Sequence, residues 1–158
     1  MSEKILIIDD DIDTLRLVGL VLQKEGYQII TANNGKQGLL KMSEETPDLI
    51  LLDIMMPEMD GYEVARRLRK NPKTAEIPIL MFTAKSQIED KVTGFESGAD
   101  DYLTKPTRPI DLQAHIRALL SRSQKTETEQ TKPQNQRVST PVEGQRTVTV
   151  GIISERFS

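Results

Sequence analysis

The sequence predicts an α/β fold, a doubly wound five-stranded parallel sheet of (βα)5 organisation. Three observations carry that expectation. Short, unbroken apolar runs rich in β-branched residues recur along the first 120 residues, segments with helical apolar spacing separate them, and most runs stop abruptly on an acid, a hydroxyl or a lysine. A run that is apolar at every position suits a strand covered on both faces. Parallel strands need a crossover to return, so the alternation implies helices on both sides of one sheet.

Taken in order, Lys4-Ile-Leu-Ile-Ile8 is the first strand and ends at Asp9-Asp10-Asp11. Leu15, Val18 and Leu22 recur at helical spacing, with Gly26 placed as a C-terminal cap. Tyr27 to Thr31 reads as the second strand, Asn33-Asn34-Gly35 as a turn, and Lys36 to Glu44 as a short helix. Leu49-Ile-Leu-Leu52 is a third strand ending on Asp53, and Pro57 and Gly61 mark the following loop, Ile54 to Gly61. Tyr62 to Lys70 is helical. Ile77 to Phe82 is the fourth strand, ending on Thr83, and Gln87 to Ser97 is the next helix, closed by Gly98. Tyr102 to Thr104 is a short fifth strand that ends on Lys105, and Leu112, Ile116 and Leu119 mark a last helix from about Pro109 to Ser121.

Composition sets a boundary near residue 122. Residues 1–120 hold 15 Lys and Arg against 20 Asp and Glu, a net charge of −5, and five of the six aromatic residues. Residues 121–158 hold 6 against 4, a net +2. The first part can bury a core and most of the second cannot. We therefore expect a domain over 1–122, a flexible linker over 123–146, and over 147–158 an orphan strand that would begin a further domain. The chain has no cysteine, which excludes disulfides and thiolate metal sites, and a single histidine, His115, which excludes a multi-histidine site. The overall charge of −3 supplies no basic field for nucleic acid, and no apolar run approaches membrane-spanning length. A soluble cytoplasmic protein is the default expectation.

The polar residues that interrupt the apolar runs share one position. Asp9 and Asp10 follow the first strand, Asp53 the third, Thr83 the fourth and Lys105 the fifth. Ligands of open parallel α/β sheets bind outside the carboxyl ends of the strands, so these side chains should converge on one crevice. Three carboxylates together repel one another unless a cation intervenes, and an all-oxygen set suits a hard divalent ion, Mg²⁺ or Mn²⁺ in its place, rather than zinc or copper. Lys105 adds a fixed positive charge and Thr83 a hydroxyl donor. A nucleophilic carboxylate, a metal, a cationic anchor and a hydroxyl are the parts that bind a phosphoryl group on an acid.

Ile-Asp9-Asp10-Asp11, Leu-Leu-Asp53-Ile-Met-Met-Pro57-Glu-Met-Asp60-Gly61, Phe-Thr83-Ala84 and Tyr102-Leu-Thr-Lys105-Pro106 resemble, in that order, the receiver domain of two-component response regulators, over residues 3–121. The resemblance implies the flavodoxin-like receiver fold and a phosphoacceptor switch served by a sensor histidine kinase or phosphotransfer protein. By it Asp53 is the acceptor, Asp10 a direct Mg²⁺ ligand, Asp9 one acting mainly through water, and the Met55 backbone carbonyl a further ligand. Thr83 and Lys105 grip the phosphoryl oxygens, Ala84 leaves them accessible, and Thr83 with Tyr102 forms the switch. The resemblance further implies a cis Lys105–Pro106 bond and a candidate homodimer through the fourth helix, fifth strand and fifth helix.

Plainer readings stand beside these. Asp9 and Asp10 suit a helix start, Thr83 a strand end, Lys105 an ordinary ion pair and Tyr102 a half-buried strand. Asp60 and Gly61 read as loop-shaping, with Gly61 taking φ > 0. His115 carries no assigned function, and Asp48, Asp100 and Asp101 read as turn and solvation residues. Two other functions share this architecture. A phosphatase with an aspartyl nucleophile generally carries a second acid two residues later, where this chain has Met55. A flavin- or nucleotide-binding module needs a Gly-rich loop after the first strand, where this chain has three acids.

Overall fold

The computed structural model describes residues 2–131, with side chains through residue 123. The chain divides into two units, Met1–Ser123 and Gln124–Ser158. The elements follow strictly in alternation: β1 (Lys4–Ile8), α1 (Ile12–Lys24), β2 (Gln28–Ala32), α2 (Gly35–Glu44), β3 (Leu49–Leu52), α3 (Gly61–Lys70), β4 (Ile79–Thr83), α4 (Ile88–Ser97), β5 (Asp101–Thr104) and α5 (Pro109–Thr131). The five strands make one parallel sheet in the order β2-β1-β3-β4-β5. The connection therefore runs outward from β1 to β2, then returns past β1 to β3.

Each central strand feeds two cores because its residues alternate between faces. Ile5 and Ile7 of β1, Leu49 and Leu51 of β3, and Leu80 and Phe82 of β4 pack against Leu15, Val18 and Leu22 of α1 and Leu112, Ile116 and Leu119 of α5. Leu6, Ile8, Ile50, Leu52, Ile79 and Met81 face the other way, onto Met42 of α2 and Val64, Ala65 and Leu68 of α3. Both sides of the sheet are covered, which is why the strands read as unbroken apolar runs.

The helix starts are set by short polar side chains. Asp11, Asn34 and Asp60 each accept a backbone N–H of the first turn, from Asp13, Gln37 and Glu63. Several boundaries differ by a residue or two from expectation. β2 begins at Gln28, and β4 begins at Ile79 rather than Ile77, since Pro78 has no N–H to give the ladder. The last helix runs to Thr131, past the expected end near Ser121, so residues 123–131 of the expected linker are helical. That stretch contains neither Gly nor Pro. The rest of the expected linker and the orphan strand at 147–158 lie outside the described residues. Among the described residues no helix is long and apolar enough to cross a membrane.

Candidate functional site

The carboxyl ends of β1, β3, β4 and β5 bring together the residues that interrupt the apolar runs. Pairing aligns Ile8 with Leu52, so Asp9 and Asp53 emerge side by side, and the Asp53 N–H closes the ladder on the Ile8 carbonyl at 2.9 Å. Asp9 and Asp53 are 2% and 7% exposed, whereas Asp10 is exposed. One carboxylate oxygen from each of the three lies within 4.8 Å of the others. An all-oxygen set of this spacing, with one solvent-facing member, fits a hard divalent cation.

Lys105 reaches across the site. Its Nζ is 2.7 Å from Asp9 Oδ2 and 3.5 Å from Asp53 Oδ2, so its shorter bond is to Asp9. The ammonium also lies 5.4 Å from the centre of the Phe82 ring. Burial pushes the Asp9 carboxyl above the usual carboxylate range, reinforced by the charge of Asp53, although the Lys105 bond and the Asp11 N–H pull the other way. Burial pulls the Lys105 ammonium down, but the bond to Asp9 and the charge of Asp53 outweigh it and leave the pKa raised. Asp53 Oδ1 accepts the Met55 N–H at 3.2 Å. Met55 itself is 51% exposed, at the mouth of the crevice.

Thr83 closes β4 and is fully buried, and its carbonyl accepts the Lys105 N–H at 2.7 Å. Ala84, next to it, is exposed. The Thr83 hydroxyl lies 3.5 Å from the Lys85 N–H, and the Tyr102 hydroxyl donates to the Lys85 carbonyl at 2.8 Å. Lys85 thus joins the two expected switch residues. The Tyr102 ring is turned inward and 8% exposed, more deeply placed than a half-buried strand position suggests. Burial is the first cause that pushes its phenol up to about 12. The Lys105–Pro106 peptide is cis, as the resemblance implied.

The loop after Asp53 departs from the sequence reading. Gly61 does not adopt a positive φ; the residue in the left-handed region is Glu58, at φ 71°. Gly61 is required for closeness instead. A Cβ there would run into the Asp53 carbonyl oxygen and come within 2.8 Å of Ile54 Cα. The Gly61 N–H bonds the Ile54 carbonyl at 2.9 Å, and Pro57 supplies the carbonyl for the Met59 N–H at 2.8 Å, which folds the loop back on itself.

Other acids read as solvation residues also make defined bonds. Asp48 accepts the Lys4 N–H at 2.7 Å. Asp100 Oδ2 takes the Ile79 N–H and an Arg69 N–H, both at 2.8 Å. Asp101 Oδ2 lies 2.6 Å from His115 Nδ1, tying α5 to the start of β5. Charged residues at strand starts gave no sequence signal for such long-range pairing.

Comparison with known proteins agrees with this geometry. The family described as the response regulator receiver domain matches residues 5–117. The DNA-binding dual master transcriptional regulator RpaA of Synechocystis is 49% identical over 120 residues, which is 76% of this chain and 50% of that protein. The alkaline phosphatase synthesis transcriptional regulatory protein PhoP of Bacillus subtilis is 46% identical over 124 residues, 78% of this chain and 51% of that protein. The chain spans about half the length of these curated relatives. A CheY-like response regulator receiver domain protein of Methanospirillum hungatei superposes with a TM-score of 0.75 at 32% identity, covering 80% of this chain and 99% of that one. With its 2-1-3-4-5 parallel sheet and a family match over residues 5–117, the chain belongs to the response regulator receiver domain family.

Proposed function

We propose that the domain is the phosphoacceptor switch of a two-component system, with Asp53 taking a phosphoryl group from a sensor histidine kinase or phosphotransfer protein in the cytoplasm. The observation that carries this reading is the environment of Asp53. It is a buried carboxylate at a strand end, grouped with Asp9 and Asp10, with the Lys105 ammonium in reach of both Asp9 and Asp53. In the reaction a carboxylate oxygen of Asp53 bonds to phosphorus while the phosphorus–nitrogen bond of the donor imidazole breaks, its electron pair staying on the ring nitrogen. Hydrolysis later returns the carboxylate and releases inorganic phosphate.

Asp9, Asp10 and Asp53, with the Met55 carbonyl, would hold Mg²⁺ or Mn²⁺. The bound ion supplies the positive charge that screens the carboxylates from the incoming phosphate. Lys105, already charged and within reach of Asp53, offsets the charge added on that side. The Thr83 hydroxyl donates to a phosphoryl oxygen, and Ala84, small and exposed, leaves the group open to donor and water. Movement of Thr83 would act through Lys85 on Tyr102, altering the face built by α4, β5 and α5. α4 exposes Ile88, Val92 and Phe95 there, which supports a homodimer as the output. The domain works as a switch and not as a turnover enzyme, and the lengths of the transcriptional regulators it resembles support reading the region beyond residue 123 as the link to an effector domain.

Incubation with Mg²⁺ and acetyl phosphate should add one phosphoryl group, labile to hydroxylamine, and Asp53→Asn should abolish it. Intact mass measurement decides the matter: undiminished labelling of Asp53→Asn would refute the assignment.

A further inference from the structure

A cavity lies at the end of the sheet remote from Asp53. Each helix leaves the carboxyl end of one strand and returns the chain to the amino end of the next, so the last turns of α2 and α3 reach that far end together. Between them and the connections that follow is a space of about 530 Å³, within the range of small-molecule sites. Its apolar floor is Leu39 and Met42 of α2 with Leu68 of α3, the last two continuous with the buried core. The wall from α3 is fixed in place. The buried Thr74 hydroxyl donates to the Leu68 carbonyl at 2.6 Å, and Asn71 Oδ1 accepts the Lys73 N–H at 3.0 Å.

The charge of this cavity runs against that of the domain. Residues 1–120 carry a net −5, yet the lining includes Arg67 and Lys73 and no acid. Arg67 Nε is engaged by Glu63 Oε2 at 2.9 Å. Among the described residues, nothing bonds the two Nη groups of Arg67, the Lys73 ammonium or the Asn71 amide nitrogen. Donors without acceptors therefore rim an apolar floor. The lining holds no aromatic ring, so a nucleobase would find no stacking partner there.

We propose that this cavity binds an aliphatic carboxylate, with its chain on Leu39, Met42 and Leu68 and its head group held by Arg67, Asn71 and Lys73. The terminal edge of a guanidinium presents two N–H groups at the spacing of a carboxylate, and Lys73 adds a second positive charge. A hydrocarbon chain removes the floor from water. The site shares no residue with the Asp53 crevice and does not depend on the acceptor reading.

The test is titration of octanoate, below its micellar concentration, into the ¹⁵N-labelled full chain, followed by amide chemical shifts. Saturable shifts should centre on Leu39, Met42, Leu68 and Asn71 and spare Asp9, Asp53 and Lys105. The Lys73 side chain is exposed and makes no bond in the fold, so Lys73→Ala should fold normally. It should raise the octanoate Kd about tenfold, the effect of losing one charge-assisted bond. 1-Octanol, with the same chain and no charge, should bind at least tenfold more weakly than octanoate. Shifts that fail to saturate, shifts centred elsewhere on the domain, equal binding of 1-octanol, or an unaltered Kd in Lys73→Ala would each overturn the assignment.

Discussion

Replacing Gly61 by alanine should damage the site more than its small size suggests. The added Cβ would overlap the Asp53 carbonyl oxygen and press on Ile54 Cα at 2.8 Å and the Asp53 carbonyl carbon at 2.9 Å. All three are backbone atoms, so no side-chain rotation relieves the contact. The Asp53 loop must then move away from α3, and the Gly61–Ile54 hydrogen bond, 2.9 Å long, is given up with it. Overpacking typically costs about 1–3 kcal/mol and a lost hydrogen bond about 1 kcal/mol, so Gly61→Ala should destabilise by about 2–4 kcal/mol. For a unit of this size that lowers Tm by roughly 8–16 °C. Gly26→Ala is the internal control. Its φ is +100°, yet nothing lies within 4 Å of an added Cβ, so it should cost only the left-handed strain, about 1–2 kcal/mol. Urea unfolding of the two variants, with acetyl phosphate labelling, separates the effects: Gly61→Ala should be the less stable and should label more slowly, while Gly26→Ala labels normally. A Gly61→Ala protein as stable as Gly26→Ala, or one labelling at the wild-type rate, would refute the close-approach account.

Three further outcomes are expected. Asp10→Ala should weaken Mg²⁺ binding more than Asp9→Ala, measured by calorimetric titration, because a direct ligand contributes more than one acting through water; equal losses would contradict those roles. Lys105, whose pKa is raised in the folded chain, contributes stability that is complete below its ordinary value near 10.5 and is lost as pH climbs through the raised one. In metal-free buffer Lys105→Met should therefore be destabilised near neutral pH and lack that alkaline loss, whereas parallel stability curves for variant and wild type would show the pairing to be without energetic weight. The Tyr102 phenol, held up to about 12, should appear as a late step in absorbance titration at 295 nm that Tyr102→Phe removes; persistence of that step would place the perturbed phenol elsewhere.

The strands and the site were legible for the same reason. A strand buried on both faces tolerates no polar residue, so Asp53 after Leu52 and Thr83 after Phe82 stand out against their own elements. Helix starts were partly legible, because an Asp or Asn at the cap acts on its own next turn and needs no tertiary partner. Gly61 was placed in the right loop for the wrong reason. A glycine is a single letter whether it serves φ or proximity, and only the approach of Ile54 distinguishes the two. Arg69 and Asp100 lie 31 residues apart, and neither carries a periodic or motif signature. Their bond depends on how α3 and β5 meet, and the same holds for His115 and Asp101. The end of α5 was misjudged because a polar, Gly-free stretch suits an exposed helix as well as an open chain.

The spacing of the site along the chain bears on when signalling can begin. Asp9, Asp53, Thr83 and Lys105 belong to four different strands, and the sheet order sets β1, β3, β4 and β5 side by side only after every crossover between them is complete. During synthesis Lys105 is the last of the four to emerge, and Asp53 waits for it without a counter-charge on that side. A truncated or half-folded copy therefore presents an aspartate but no receptive pocket. The four-strand pocket is complete only in the finished fold.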